Sequence, residues 1–164
     1  MPADAALLSR VGGISLLESH GHSAPGGTMQ AYVDKSFSEE TCKAELLDEN
    51  NIFTAAFYKN AAAGYSKIIL ATPHPAVDLK PVTKLERLYL LKEYYGFKLG
   101  HHLLEQAIGF SKEKEQKGMW LEVWKGNSRA VGFYEKQGFQ TIGETAFRLT
   151  DTHANPAWVM LARY

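Results

Sequence analysis

The sequence is poor in cysteine, because Cys42 is the only cysteine in a chain of 164 residues. A single cysteine excludes an intrachain disulfide and a zinc site built from several thiolates. Long apolar runs are also missing, since no stretch approaches the roughly 18 residues that a membrane helix needs. The N-terminal MPADAALLSR lacks the basic segment and long apolar core of a secretory signal peptide. These absences predict a cytoplasmic protein with no membrane partner, in which Cys42 is a small core residue.

A surplus of basic charge is absent as well. Lys plus Arg and Asp plus Glu number 18 each, so the formal net charge at pH 7 is zero. Non-specific nucleic-acid binding depends on surplus basic residues that neutralise phosphates, so this composition predicts no nucleic-acid partner. The hydrophobic fraction of 45% is ordinary for a globular protein. At this length we expect one domain, spanning residues 1–164.

The first part of the chain has the periodicity of a helix. Apolar positions three to four residues apart predict a helix that runs to about Glu18, with Gly21 past its end. The residues predicted for its apolar face are Leu7, Val11, Ile14 and Leu17. Gly12 and Gly13 are expected to interrupt this face. Two short helices follow in TMQAYVDKSF and SEETCKAELLDE, the second with an N-terminal signal at Ser38.

The second part of the chain alternates between strand and helix patterns. The predicted strands are Asn51–Tyr58, Ala63–Leu70, Lys84–Leu91, Met119–Lys125 and a closing pair in FQTIGETAFRL and AWVMLARY. The predicted helices are Leu99–Lys117, which Gly118 would end, and Ser128–Gln137. Met119–Lys125 is bulky on both faces, which favours a central, buried strand with Trp120 and Trp124 in the core. This order predicts a mixed α/β sheet with helices on its faces.

The segment YYGFKLGHHLLEQA lies between a predicted strand and a predicted helix. Gly96 and Gly100 allow the backbone to come close to a ligand, and the free N–H groups of a helix N-terminus favour phosphate. Many strand–helix turns with two glycines bind nothing, so the motif alone does not decide between a phosphate cradle and an ordinary turn.

The segment GNSRAVGFYEKQGF has the pattern of a short capped helix. Asn127 or Ser128 can cap its start, and Gly138 with Phe139 fits the left-handed residue and hydrophobic contact after its end. Tyr134 lies beside the predicted buried face. It is either a core tyrosine with a surface hydroxyl or a tyrosine whose hydroxyl points to the sheet.

Together these two segments resemble the GNAT acetyltransferase family. The family pattern Asn-x-x-Ala-x-x-Phe-Tyr-x-Lys-x-Gly-Phe is matched by Asn127, Ala130, Phe133, Tyr134, Lys136, Gly138 and Phe139. LERLYLLKEYYGFKLGHHLLE is similar to the acetyl-CoA strand and loop of the family. Within the family, the sequence is most similar to bacterial polyamine-type small-amine acetyltransferases. The resemblance covers roughly residues 3–164 and is specific in the second half. It implies a mixed, mostly antiparallel sheet flanked by helices. We expect the family's usual first strand to be missing, either because the N-terminus is truncated or because the strand is absent.

The loop departs from the family pattern, Gln/Arg-x-x-Gly-x-Gly/Ala, at two positions. Tyr95 stands at the Gln/Arg position and Lys98 at the central glycine, whereas Gly100 keeps the last one. If the backbone at Lys98 has a positive φ, lysine there costs on the order of 1 kcal/mol, and if it is helical the cost is small. The ammonium of Lys98 can face the pyrophosphate. We therefore expect an atypical phosphate cradle with weakened affinity.

The resemblance implies direct transfer of an acetyl group from acetyl-CoA to a primary amine. The Leu90 N–H would polarise the thioester carbonyl, and Tyr134 would protonate the departing thiolate as a general acid. The positions expected to bind acetyl-CoA are Leu88, Tyr89, Leu90, Tyr95, Gly96, Phe97, Lys98, Leu99, Gly100, His101, Asn127, Ala130, Phe133, Tyr134 and Lys136. The N–H groups from Phe97 to His101 would hold the pyrophosphate, and Asn127 the pantetheine arm. No metal is expected.

The amine must be neutral before it attacks, so a base is expected, acting directly or through water. Glu86 and Glu122 are candidates, on strands predicted to be adjacent, and the ordinary interpretation of each is a surface or ion-paired carboxylate. Tyr89 either lines the acceptor pocket or packs in the core. His20 and His22 have the separation of metal ligands, but the sequence offers no third ligand.

Other functions stay open at this point. A non-catalytic acetyl-CoA binder is suggested by the departures at Tyr95 and Lys98, whereas the retained Asn127 and Tyr134 favour an enzyme. The acceptor is expected to be a small-molecule amine, with a protein N-terminus as the alternative. A missing first strand would leave a free sheet edge, as in an interaction module. A homodimer is common in such folds by resemblance, and this sequence does not show one.

Overall fold

The computed structural model describes residues 4–164, and they form a single mixed sheet with helices on both faces. The helices are α1 (Ala5–His20), α2 (Thr28–Ser36), α3 (Glu39–Leu47), α4 (Leu99–Glu113) and α5 (Ser128–Lys136). The strands are β1 (Asn51–Tyr58), β2 (Ala61–Ile69), β3 (Thr83–Leu90), β4 (Gly118–Trp124), β5 (Gln140–Arg148) and β6 (Ala154–Arg163). The predicted fold class is confirmed, and apart from the end of α4 the predicted boundaries lie within three residues of these. The first three residues of MPADAALLSR lie outside the described residues.

The sheet has the strand order β1-β2-β3-β4-β6-β5, and all neighbours are antiparallel except β3 and β4. Within residues 4–164, α1 is the first of the helices and strands, and β1 lies at one edge of the sheet. β4 is central, as predicted. None of the helices in residues 4–164 combines the length and the apolar character that a membrane crossing requires.

The parallel pair β3 and β4 separates soon after it begins. Only Thr83 with Met119 and Lys84 with Trp120 are paired. β3 then continues along β2 to Leu90, while β4 stays paired with β6. The two strands therefore diverge, and a wedge opens between them toward their C-terminal ends.

A β-bulge in β3 sets which side chains face each side of the sheet. The pairing with β2 passes from Arg87 to Leu85, so Glu86 is the extra residue. Leu85 and Leu88 both pack in the core covered by α4. Arg87 lies over the ring of Phe37 on the opposite side. Because a bulge places two successive side chains on one face, Glu86 and Arg87 both face α1 and α2.

The buried face of α1 differs from the predicted one. Ile14 was expected on the apolar face, but it is 40% exposed. Gly12 lies on the buried side instead, where a Cβ atom would come within 2.5 Å of the Tyr65 hydroxyl and 2.6 Å of the Phe37 ring. The buried residues of α1 are Ala5, Leu8, Val11, Gly12, Gly13, Ser15 and Leu16. The sequence pattern predicted that Gly12 interrupts the apolar face. In the structure, the absence of a side chain at this position lets α1 approach the sheet.

The prediction that α4 runs to Lys117 and is ended by Gly118 was wrong. The helix ends at Glu113, and Glu115 has a positive φ of 57°. The side chain of Gln116 then holds the segment after α4 against Ala71, because its Oε1 accepts a hydrogen bond from the N–H of Ala71 at 3.0 Å. Gly118 is the first residue of β4, and a Cβ atom there would lie 2.6 Å from the Ala162 carbonyl oxygen. The close approach of β6 requires this glycine.

We expect Gly12→Ala to lower the free energy of unfolding by about 1–3 kcal/mol, as overpacking of a buried contact does. Gly109→Ala is the matched control, because it lies in α4 with nothing within 4 Å of a Cβ atom. That control should raise the free energy of unfolding by about 0.5–1 kcal/mol. Urea unfolding followed by circular dichroism measures both. An equal or greater stability of Gly12→Ala would contradict the packing described for α1.

Candidate functional site

The wedge between β3 and β4 forms the floor of a cleft of about 610 Å³. Its walls come from α1, from β3 and the loop after it, from the first turn of α4, and from β4 and α5. The cleft-lining residues that the sequence had indicated are Glu86, Leu88, Tyr89, Leu90, Tyr95, Gly96, Lys98, Leu99, Gly100, His101, Glu122, Asn127, Ala130, Phe133 and Tyr134. The structure therefore brings most of the predicted site residues together.

The inner edge of β3 presents backbone donors to the cleft. The Leu91 N–H donates to the Ala63 carbonyl oxygen in the neighbouring chain segment at 2.9 Å. Because N–H directions alternate along a strand, the N–H groups of Leu90 and Leu88 point the other way, into the wedge. β4 does not pair with them, since its pairing with β3 stops at Lys84. Two amide donors two residues apart therefore line the cleft.

The start of α4 has the geometry of an anion site. Gly96 has φ of +89°, and Lys98, the residue before the helix, has φ of +61°. No side chain caps the helix start, and its first turn contains no acidic residue. The first N–H groups of α4 are thus available to a ligand, and the helix dipole makes them favourable for negative charge. Of the two conformations considered for Lys98, the structure has the costly left-handed one.

The ring of Tyr95 stacks against the guanidinium of Arg129, a residue of α5. The guanidinium carbon of Arg129 lies 3.5 Å from the centroid of the Tyr95 ring, and both residues line the cleft. Arg129 is in the first turn of α5, which Asn127 caps by accepting a hydrogen bond from the Ala130 N–H at 3.2 Å. The Asn127 side-chain oxygen is used in this cap, and its amide nitrogen remains as a donor. The starts of α4 and α5 therefore meet at one end of the cleft.

Tyr134 lies deep in the cleft wall. Only 8% of its surface is exposed, and its ring packs at 5.3 Å from Phe133 and 5.6 Å from Phe139. Burial, with a smaller contribution from Tyr89, raises the pKa of Tyr134 above the ordinary value for a tyrosine. The phenol therefore keeps its proton at physiological pH and is able to donate it.

The two candidate carboxylates stand on either side of the wedge. Glu86 and Glu122 both line the cleft, on β3 and β4 as predicted. The carboxylate of Glu86 forms an ion pair with the Lys84 ammonium at 2.7 Å. Glu122 is exposed. Both are positioned to attract a positively charged molecule to this end of the cleft.

Two predicted binding residues are outside the cleft wall. Phe97 is 49% exposed, and its ring packs at 4.7 Å from the ring of Tyr58 on β1. Lys136 is exposed in the last turn of α5. Trp124 was expected in the core, but it lines the cleft instead. Trp120 and Cys42 are buried as expected.

Sequence reasoning missed the contribution of α1. Ser15, Leu16, Glu18, Ser19 and His20 line the cleft, as do Arg129 and Phe147. The buried face of α1 could have revealed its contribution to the cleft. Once Gly12 is placed against the sheet, the residues one and two helical turns later lie on the same side of the helix. Within residues 4–164 no cluster of three or more histidine, cysteine or acidic side chains could hold a metal ion.

Comparison with known proteins identifies similar chains over most of this length. The model of the acetyltransferase (GNAT) family matches residues 16–139. An uncharacterized N-acetyltransferase of Lactobacillus delbrueckii subsp. lactis is 28% identical over 124 residues, covering 75% of this chain and 71% of that protein. An uncharacterized N-acetyltransferase of Mycobacterium bovis is 29% identical over 125 residues, covering 76% of each. The crystal structure of the PaiA N-acetyltransferase from Thermoplasma acidophilum in complex with coenzyme A has a TM-score of 0.78 at 23% identity, covering 99% of this chain and 94% of that one.

The backbone at Lys98 gives a test of the loop conformation. Because φ is positive there, we expect Lys98→Gly to be more stable than Lys98→Ala by about 1 kcal/mol, with the charge lost in both. At Gln106, an exposed position inside α4, glycine should instead be less stable than alanine by about 1 kcal/mol. Thermal and urea unfolding of the four variants measure this reversal of sign. The same order at both positions would rule out a left-handed backbone at Lys98.

Proposed function

Because the chain belongs to the GNAT acetyltransferase family, we propose that it transfers the acetyl group of acetyl-CoA directly to a primary amine, with Tyr134 as general acid. The family membership suggested by the two sequence motifs is confirmed by the match over residues 16–139. The protein is an acyltransferase, and acetyl-CoA is its cosubstrate. The observation that carries the proposal is that free backbone donors of β3 and the protonated Tyr134 share one cleft.

The cleft fits the chemical groups of acetyl-CoA from one end to the other. The diphosphate would lie against the N–H groups from Phe97 to His101, at the uncapped start of α4. The pantetheine amides would pair with the inner edge of β3, where Leu88 and Leu90 offer N–H groups, and with the free amide nitrogen of Asn127. The thioester would then lie beside Leu90 and Tyr134.

Arg129 takes the place of the cation that the loop lacks. The family loop has Gln or Arg at the position of Tyr95, and here the tyrosine ring carries the Arg129 guanidinium at 3.5 Å. Stacking on an aromatic face restricts the guanidinium while leaving its N–H groups free for phosphate oxygens. Lys98 adds a second cation at the same end. The departures from the family loop thus keep a positive charge near the phosphates.

The reaction follows from these positions. The amine nitrogen attacks the thioester carbonyl carbon, and the N–H of Leu90 stabilises the negative charge that develops on the oxygen. The C–S bond breaks as the new C–N bond is completed, and the Tyr134 hydroxyl gives its proton to the departing sulfur. A proton from the nitrogen leaves to a base, and solvent returns one to Tyr134.

The other end of the cleft supports an amine as acceptor. Glu86 and Glu122 attract an ammonium ion, and Trp124 and Phe147 give the same region an aromatic wall. A small-molecule amine fits this arrangement, whereas a protein N-terminus is the alternative acceptor. A homodimer, a cytoplasmic location, the lack of a nucleic-acid partner and a single domain over residues 1–164 stay predictions.

Binding of acetyl-CoA by isothermal calorimetry tests the phosphate end. We expect micromolar binding that ATP does not match, and Arg129→Met should weaken it about tenfold, the worth of one charge-assisted hydrogen bond. Moving the cation back to the loop, in Tyr95→Arg with Arg129→Met, should restore most of the affinity. Lys136→Met is the matched control, since it removes a charge of α5 outside the cleft wall.

Equal losses in Arg129→Met and Lys136→Met would point to general charge rather than to a contact with phosphate. Absence of binding up to millimolar acetyl-CoA, in a folded protein, would remove the enzyme interpretation. Desulfo-CoA would separate the contribution of the thioester from that of the phosphates.

Tyr134→Phe tests the chemical step. We expect kcat to fall roughly 10–100-fold, at or below the usual range for a general acid, because a thiolate needs little protonation to leave. Affinity for acetyl-CoA should not change. The assay uses cadaverine, spermidine, tyramine and a peptide with a free N-terminus, and Tyr58→Phe is the control for loss of a hydroxyl outside the cleft. A loss below about twofold would remove Tyr134 from this role, and tight binding without acetylation of any probe would indicate a non-catalytic binder.

A further inference from the structure

The C-terminal part of α1 crosses the open end of the wedge. On the side of β3, the Ser15 hydroxyl donates to the Leu90 carbonyl oxygen at 3.2 Å, and Glu18 accepts from the Lys92 N–H at 2.8 Å. On the side of β4, the His20 ring lies 5.2 Å from the ring of Trp124. This places His20 in the cleft wall beside Trp124, which follows Glu122 by two residues and so lies on the same face of β4.

The hydrogen bonds of Ser19 bear on the tautomer of His20. The Ser19 hydroxyl lies 2.9 Å from the Ser15 carbonyl oxygen and 3.3 Å from the Leu16 carbonyl oxygen, and both of these only accept. The Ser19 oxygen also lies 2.6 Å from His20 Nδ1, a pair in which either atom can be the donor. When the hydroxyl proton goes to one of the two carbonyls, Nδ1 carries the hydrogen of this pair and Nε2 holds a lone pair. Nε2 has no hydrogen-bond partner among residues 4–164.

The surroundings keep His20 neutral. Burial, and to a smaller extent the neighbouring His22, lowers the pKa of His20 to about 4. Other ionisable groups that line the cleft near α1 are Glu18 on its own helix, Glu122 on β4, and Glu86, Arg87 and Lys92 on the side of β3. At physiological pH the imidazole is uncharged, so it holds a lone pair, and its lowered pKa makes it a weaker base than an exposed histidine.

We propose that His20 is a catalytic base, whose Nε2 accepts the proton that the amine nitrogen loses as the C–N bond forms. The role rests on the proposed amine acetylation and adds a residue from α1 to it. The carboxylate of Glu86 is engaged in an ion pair with Lys84 at 2.7 Å, and Glu122 is exposed. Neither carboxylate offers the uncharged nitrogen that His20 does.

The proton and electron balance is complete without a further reactant. An amine that arrives as an ammonium ion first loses one proton to water. Its lone pair then forms the C–N bond, the C–S electron pair goes to sulfur, and Tyr134 gives sulfur its proton. The proton from nitrogen passes to His20 Nε2 and then to water, and Tyr134 regains a proton from solvent. Because His20 has a low pKa, it releases this proton rapidly and is neutral again for the next turnover.

His20→Gln and His22→Gln form a matched pair for the test. Both histidines flank Trp124, at 5.2 and 5.5 Å, but His22 does not line the cleft. With cadaverine and tyramine as probes, we expect kcat of His20→Gln to fall about 100-fold, the lower end of the range for general base catalysis. His22→Gln should stay within about twofold of the wild type, and acetyl-CoA affinity, measured by calorimetry, should be unchanged in both.

The pH dependence separates proton transfer from packing. The deficit of His20→Gln should shrink as the pH rises, because hydroxide then accepts the proton in place of His20, whereas the growing fraction of free amine speeds the wild type and the variant equally. A constant deficit at all pH values, or equal deficits in both variants, would overturn the role of His20. Full activity of a folded His20→Gln would overturn it too and leave the proposed function standing. A wild-type protein that binds acetyl-CoA and acetylates no probe would remove both.

Nitrogen-15 spectra of the wild-type protein test the tautomer without any variant. At pH 7 the long-range histidine correlations of His20 should show a protonated Nδ1 and an unprotonated Nε2. Protonated Nε2 would overturn the proposal, whether or not His20→Gln folds. The spectrum of His20→Gln identifies the His20 signals if it folds, and selective labelling identifies them if it does not.

Discussion

The site depends on a parallel strand pair that stops after two residue pairs. At the closed end, the Thr83 and Ser111 hydroxyls form a buried hydrogen bond at 2.7 Å, and Gly118 lets β6 come close to β4. Past that point β3 keeps β2 as its outer partner and β4 keeps β6. Each strand is thus held on its outer side and open on its inner side. A backbone donor needs a partner, so the open inner edge of β3 is suited to the amide-rich arm of a ligand.

The charges of the chain sum to zero, and their distribution still defines two different ends of one cleft. Lys98 and Arg129 lie with the starts of α4 and α5, whose N–H groups add positive potential. Glu86 and Glu122 each lie two residues beyond the last strand pair, Lys84 with Trp120, toward the closed end of the wedge. A zero net charge predicts that no long polyanion is a partner, but it says nothing about a site for a few phosphates. The separation would let one cleft attract an anionic donor and the proposed cationic acceptor without either occupying the place of the other.

The parts of the fold that depend on local sequence were predictable, and those that depend on distant contacts were not. The cap at Asn127 and the turn at Gly138 are local signals, so α5 was located within one residue. The face of α1 depends on Tyr65 and Phe37, which approach through the space that Gly12 leaves free. No periodicity contains that information. For the same reason α1 was absent from the predicted site, although it forms one wall of the cleft.

The residue types of the loop after β3 could be evaluated from the sequence, but the contacts of their side chains could not. The substitution of Tyr95 was visible in the sequence, whereas its pairing with Arg129 joins two elements more than thirty residues apart. Phe97 was assigned to the site by its position, and its side chain instead covers Tyr58 on β1. A motif thus places the backbone of a loop reliably, while each side chain follows the partner that the tertiary structure offers.

One physical cause prepares both proton-transfer groups. Removal from water disfavours the charged form of any side chain, so it raises the pKa of Tyr134 and lowers that of His20. The same change leaves the tyrosine with its proton and the histidine without one, which are the starting states of the proposed acid and base, although it also makes the one a weaker acid and the other a weaker base. In the proposed mechanism Tyr134 on α5 would protonate the departing sulfur, and His20 on α1 would accept the proton of the amine. The wedge between β3 and β4 would then separate the proposed acid from the proposed base, with the transferred acetyl group between them.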